Sequence, residues 1–188
     1  MRDQLTPIDG AAAGLVAREA LLEQLMPVGK YHVECVGADG RVKWRDVADN
    51  LVTTQGKNAI LDKFLGLAAA YTNIALGLHT TVGNAASTYA APSPQVEAVV
   101  GTYTARLAPA FSAAAAGVKA TSAAVSFPIV GTDTINGVFL ALANAAGVLT
   151  RGDVAASGGV LLSTGTFSGG ARAVLNGDTL NVTYSLAL

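Results

Sequence analysis

The chain has 188 residues, a formal charge of −1 and a pI near 6.1, so it lacks the excess of Lys and Arg that phosphate-backbone binding or docking on anionic membranes uses. Hydrophobic residues make up 51% and mean hydropathy is +0.44, yet alanine carries much of this and no apolar run approaches the roughly 18 residues that span a bilayer. The single cysteine, Cys35, excludes an intramolecular disulfide and a cysteine-based metal cluster.

At 18.9 kDa the chain is one domain's worth of polypeptide, enough to bury roughly 70% of its unfolded surface. Charge is distributed unevenly: residues 1–66 hold seventeen charged side chains, whereas the 122 residues from Leu67 onward hold eight. The later part is rich in Ala, Gly, Ser, Thr and Val, which predicts short strands with small side chains rather than a disordered tail. A sheet surface so poor in charge is suited to contact with another protein.

Residues 1–10 read as an extended arm punctuated by Pro7 and Asp9-Gly10. They do not read as a signal peptide, because Arg2 and Asp3 lead into Thr6, Pro7 and Asp9 and the next stretch carries Arg18, Glu19 and Glu23; a soluble protein is expected. Over 11–26 the spacing of Leu15, Leu22, Leu25 and Met26 predicts a helix that Pro27 and Gly29 end. That helix either packs on its own domain or docks on a neighbouring subunit. The chain thus divides into an arm and helix over 1–29 and a β domain over 30–188, with Leu5, Ile8, Leu15 and Leu22 as candidate contact residues of the arm.

Over 30–47, Tyr31, Val33 and Cys35 alternate with His32 and Glu34, then Val42 and Trp44 alternate with Arg41, Lys43 and Arg45. This pattern predicts a hairpin with one buried and one wet face, turned at Ala38-Asp39-Gly40. Arg41, Lys43 and Arg45 form a basic stripe on its outward face, either a charge-guarded edge or a contact surface. Next comes a short amphipathic helix, capped by Thr53 or Thr54, with Ile60, Leu61, Phe64 and Leu65 on its apolar side. Beyond it the periodicity becomes two, predicting strands near 71–78, 95–107, 119–127, 134–142, 159–167, 171–175 and 178–188. Asn176-Gly177 predicts a type I′ turn joining the last two. Residues 82–94 read as a long loop and 109–117 as a loop or helical turn. The expected fold is mainly β, an antiparallel β-sandwich of jelly-roll type with an N-terminal helix and one further short helix; another β topology is the alternative.

Catalytic patterns are not found. His32 lies on the outward hairpin face, and His79 ends a strand with no Cys or second His placed to complete a zinc site. There is no G-x-S-x-G elbow, phosphate loop or dinucleotide fingerprint. Asp39, Asp133, Asp153 and Asp178 each adjoin a glycine or threonine in a predicted turn, where Asp is favoured for local backbone bonding. No enzymatic activity and no cofactor or metal are expected.

A hairpin ending in Val42-Lys43-Trp44 is followed by DNLVTTQGKNAILDKFLG over 49–66 and YTNIALGLHTT over 71–81, then Tyr103 and Arg106, Gly137-Val138-Phe139-Leu140, and NGDTLNVTYSLAL over 176–188. In this order the chain resembles tailed-bacteriophage virion structural proteins over most of 30–188. The resemblance implies a particle component decorating the head exterior, a cement protein bridging capsomers, made in the host cytoplasm. Its implied partners are other copies of itself, as a homotrimer, and the major capsid protein, with no nucleic acid and no membrane. The helix near 11–26 is an addition to a minimal version of that pattern. A tail, neck or fibre component in host attachment is the alternative, and exposed aromatics in long loops, Tyr89 and Phe111, would be its mark.

Overall fold

Tyr31, Val33 and Cys35 alternate with more exposed neighbours along β1 (Val28–Val36), as the period of two requires. The computed structural model describes residues 28–64, 71–99 and 101–187. The predicted helix over 11–26 and the arm residues Leu5, Ile8, Leu15 and Leu22 lie outside them. β1 begins at Val28, so positions 28 and 29 belong to the sheet.

After a turn in which Gly40 takes φ +77°, β2 (Val42–Val52) pairs antiparallel with β1. Thr53 then caps α1 (Thr54–Phe64): its Oγ1 accepts from Gly56 N at 3.0 Å and its hydroxyl donates to the Leu161 carbonyl. The helix buries Gly56 and Ala59 and rests Ile60 against the core, whereas Leu61 is exposed, contrary to the expected apolar side. Gly56 sits so close to the sheet that a Cβ there would stand 2.2 Å from the Leu162 carbonyl oxygen.

The remaining strands are β3 (Asn73–Thr81), β4 (Val96–Glu97), β5 (Val118–Ala120), β6 (Val125–Pro128), β7 (Asp133–Ile135), β8 (Gly137–Ala143), β9 (Val160–Phe167), β10 (Arg172–Val174) and β11 (Thr179–Ala187). Every pairing among them is antiparallel, so the described part is mainly β with one α-helix, as expected. Nine strands form one ladder in the order β4-β3-β8-β9-β2-β1-β11-β5, with β6 sharing the outer edge of β11, and β10 pairs with β7 alone. The segment around Tyr103 links the β3 side of the ladder to β6. Tyr103, whose hydroxyl accepts from Leu78 N of β3, packs edge-on against Phe127 of β6 with ring centroids 5.6 Å apart. Val130 N, just after β6, donates to Thr102 O at 2.8 Å. Tyr31, Val33, Leu76, Leu78, Phe127, Leu140, Leu180 and Val182 form the main core.

Several sequence expectations are corrected by this geometry. Residues 95–107 form a strand only at Val96–Glu97; Ala98 N still donates to Leu78 O of β3, and Leu107 returns to β3 only as an isolated bridge with Leu76. The strand expected over 119–127 is two, β5 and β6, which occupy successive stretches of the β11 edge. Residues 134–142 split at Asn136, whose N–H turns to His79 O. β10 and β11 do not form a hairpin: β10 pairs with β7, and only Gly177 has positive φ, which a type I′ turn requires at both central residues. The Asp178 carboxylate instead accepts from Leu175 N at 2.8 Å, closing that corner.

Candidate functional site

The face of the sheet turned away from the main core has two differently treated halves. Over β3, β8 and β9 the chain covers it with its own loops, and Ala75, Phe139, Ala141, Ala143 and Leu161 pack with Tyr89 and Val148 into a second apolar cluster. Arg106 pins those loops. It forms a two-pronged ion pair with Glu97 and donates to Tyr89 Oη, Val148 O and Asp153 O, while its guanidinium lies 5.2 Å from the Phe139 ring centre. Tyr103 Oη also donates to Glu97, and Gly152 N donates to the same carboxylate at 2.7 Å. His79 lies on this covered side as well, fully buried, with Nε2 3.2 Å from Thr164 Oγ1 and Nδ1 without a hydrogen-bond partner; burial pushes its pKa down to about 4. It is therefore a core residue inside β3 rather than the end of a strand.

Over β2, β1, β11 and β5 the same face stays open. Val28 pairs with Ala187 and Ala187 with Val118, so their side chains leave the sheet on one side. Continuing the β1–β2 register two residues beyond Lys30–Asp49 sets Leu51 across from Val28, and a Cβ at the intervening Gly29 would stand 2.6 Å from the Asn50 amide nitrogen. The result is an apolar row across four strands in which Val28, Leu51 and Val118 remain 58%, 42% and 39% exposed.

Beside this row lies an open trough of about 860 Å³, floored by His32 and Glu34 of β1, Arg45 of β2 and Asn181 and Thr183 of β11, with Arg172 on one wall. Its charges are already engaged. Arg45 meets Glu34 at 2.6 Å, and Arg172 meets the buried Asp46 at 2.7 Å. Burial alone would raise the Asp46 pKa, but donors from Ser168, Arg172, Val47 and Gly169 hold it below the ordinary carboxylate value. Glu34 and Asp46 are thus each paired with an arginine across the trough. Among the described residues no group of three His, Cys, Asp or Glu side chains could hold a metal ion, and no helix is long and apolar enough to cross a membrane.

No protein-family model, curated protein or solved structure matches this chain.

The three basic residues of the predicted stripe are separated by their partners. Arg45 faces Glu34, Lys43 reaches Asp178 at 2.7 Å, and Arg41 stands 4.0 Å from Asp39 at the hairpin turn. Tyr89 is buried beneath Arg106, and Phe111 packs edge-on against Tyr184, so neither is a free aromatic in a loop. Sequence reasoning missed the apolar row. The available signal was Val28 sharing the parity of Lys30 and His32, and Leu51 that of Asp49: apolar residues on the wet phase of the alternation. It also missed the Arg106–Glu97 pair, whose members stand nine positions apart with no periodicity linking them.

Proposed function

We propose that this chain is a non-enzymatic structural protein of a tailed-phage virion, a head decoration or cement protein that bridges neighbouring capsomers. In this reading it is made in the host cytoplasm, acts as a homotrimer on the major capsid protein, and uses a jelly-roll-like sandwich as a rigid spacer. The observation that carries the proposal is the open half of the sheet: an apolar row across four strands beside a trough whose charges are internally paired. Such a surface favours burial against protein, because contact there strands no unpaired charge and removes valine and leucine from water. Burying about 1,000 Å² of apolar surface corresponds to roughly 25 kcal/mol gross, most of it offset by lost motion and desolvation. Repetition over a shell multiplies the small remainder. The sequence resemblance supplies the particle, and the short, mostly paired strand edges suit a protein displayed at high local concentration without edge-to-edge aggregation.

The test is the copy number per purified particle, by quantitative mass spectrometry against the major capsid protein. Parity or a simple fraction of it is expected. A few to a few dozen copies would move the protein to the neck or tail, and absence from the particle would overturn the virion reading.

A further inference from the structure

The loops that cover β3, β8 and β9 leave a pocket of about 280 Å³ lined in part by the Arg106–Glu97 pair. That pair has nothing left to offer a neighbour. Arg106 spends its five N–H groups on Glu97, Tyr89 Oη, Val148 O and Asp153 O, and Glu97 accepts from Arg106, Tyr103 Oη and Gly152 N. Two other polar side chains of the lining are left incomplete. Arg151 donates from one terminal nitrogen to Ala98 O, but its Nε is buried with no hydrogen-bond partner among the described residues. Gln95 is only 7% exposed, and its Oε1 is likewise without a partner there. Buried polar atoms left unmade cost free energy, so a donor and an acceptor stranded in the lining of one pocket point to a group from outside the chain.

We propose that this pocket binds a carboxylate carried on a short aliphatic stem. Charge selects the anion: two arginines and one glutamate line the pocket, and among the described residues Arg151 is the arginine of that set without an ion pair. Asp153, outside the lining, spends its carboxylate on Tyr89 Oη and Ala155 N. The bond to Ala98 O leaves the Nε edge of the Arg151 guanidinium without an acceptor, and a guanidinium edge takes a carboxylate through two parallel hydrogen bonds. Gln95 can turn its amide to present the NH₂ to the same group. The stem is matched by Val96 and Val154, which line the pocket and remain 51% and 41% exposed. A volume of 280 Å³ falls below the roughly 300–1,000 Å³ that holds a drug-sized ligand, so a stem of a few carbons fits and a larger molecule does not. This inference goes beyond the virion reading and does not depend on it, since the pocket lies on the covered half of the sheet face and not on the open row.

Butyrate titrated into the full-length protein at constant ionic strength, with butylammonium and butanol as controls, reads the site through the backbone amide resonances of Val96, Gly152 and Val154. Butyrate should saturate with a Kd of about 1–10 mM, and the cation and the alcohol should bind at least about tenfold more weakly. Arg151→Gln removes the guanidinium, and Val154→Glu sets a repelling carboxylate on an exposed side chain of the lining. Each should weaken butyrate at least about tenfold while circular dichroism stays unchanged. Binding of a blocked glutamate, N-acetylglutamate α-amide, alongside butyrate assigns the carboxylate to a protein side chain, and its exclusion where butyrate saturates assigns it to a free small acid. Shifts that stay linear in butyrate, as a pocket filled by water alone would give, overturn the proposal. Equal binding of butanol or butylammonium overturns the carboxylate, and full affinity in both variants overturns the pocket as the site.

Discussion

Arg106 and Glu97 meet through two parallel hydrogen bonds, Nε to Oε1 at 3.0 Å and a terminal guanidinium nitrogen to Oε2 at 2.8 Å, with their side chains only 4% and 11% exposed. Burial opposes the charged form of Arg106, but the Glu97 carboxylate and the Tyr89 hydroxyl more than offset it and the guanidinium pKa rises. Removing one member of such a pair strands the other away from water. Arg106→Met should therefore destabilise the fold by about 3–5 kcal/mol, read from urea midpoints. Glu97→Gln keeps an acceptor and the side-chain shape and should cost about 1–3 kcal/mol. A loss below about 1 kcal/mol for Arg106→Met would show that the pair does not hold the loops.

His79 makes stability depend on mild acid. Its pKa is pushed down to about 4 from the ordinary 6.5 by burial, so between those values the unfolded chain binds a proton that the folded chain refuses. The contribution is complete above pH 6.5 and disappears as pH falls toward 4, a difference of about 3 kcal/mol at most. Urea unfolding at pH 7, 5.5 and 4.5 should show this decline, and His79→Gln should flatten it. Asp46 and Asp178, whose carboxyls are held below their ordinary value, add a further loss only at still lower pH.

Gly56→Ala sets two effects against each other. Alanine favours a helix interior by up to about 1 kcal/mol, but its Cβ would stand 2.2 Å from the Leu162 carbonyl oxygen, a backbone atom that cannot swing aside. The clash should win, with a net loss of about 2 kcal/mol and a lower melting temperature. Thr53→Ala, which removes the cap on Gly56 N and the bond to Leu161 O, should cost about 1–2 kcal/mol, and Thr53→Ser should recover most of it.

Cys35 should be inert in the folded protein. Its thiol is fully buried, and burial together with the Asp178 carboxylate 3.6 Å away pushes its pKa up to about 11, so little reactive thiolate exists at neutral pH. Ellman's reagent should titrate one thiol in urea and less than about a tenth of one in native buffer within an hour; rapid native labelling would contradict the burial.

Elements with strong local signals were legible from residue order. The β1–β2 hairpin follows from strict alternation around Asp39-Gly40, and β11 from the run Leu180, Val182, Tyr184, whose side chains are all buried. The helix cap was legible as Thr53 or Thr54, and the bond from Gly56 N selects Thr53. Leu61 misled because helical spacing alone does not say which side meets the sheet, and the approach of Gly56 to Leu162 rotates it outward. The candidate contact residues Arg41, Lys43 and Arg45 lie along the β1–β2 hairpin, and their acidic partners come from the hairpin turn, from the residue just before β11 and from β1.

The sequence by itself determined the β class, the hairpin, the capped helix and the low-charge character of the region from Leu67 onward, because propensity, turn chemistry and alternation act over a few neighbouring residues. Tertiary structure alone decided that β10 joins β7, that β5 and β6 share one edge of β11, that Arg106 is buried on Glu97, and that Val28, Leu51 and Val118 come into line. Each of these depends on which distant strand arrives alongside. That choice is made by long-range strand pairing and core packing, and no local pattern encodes it.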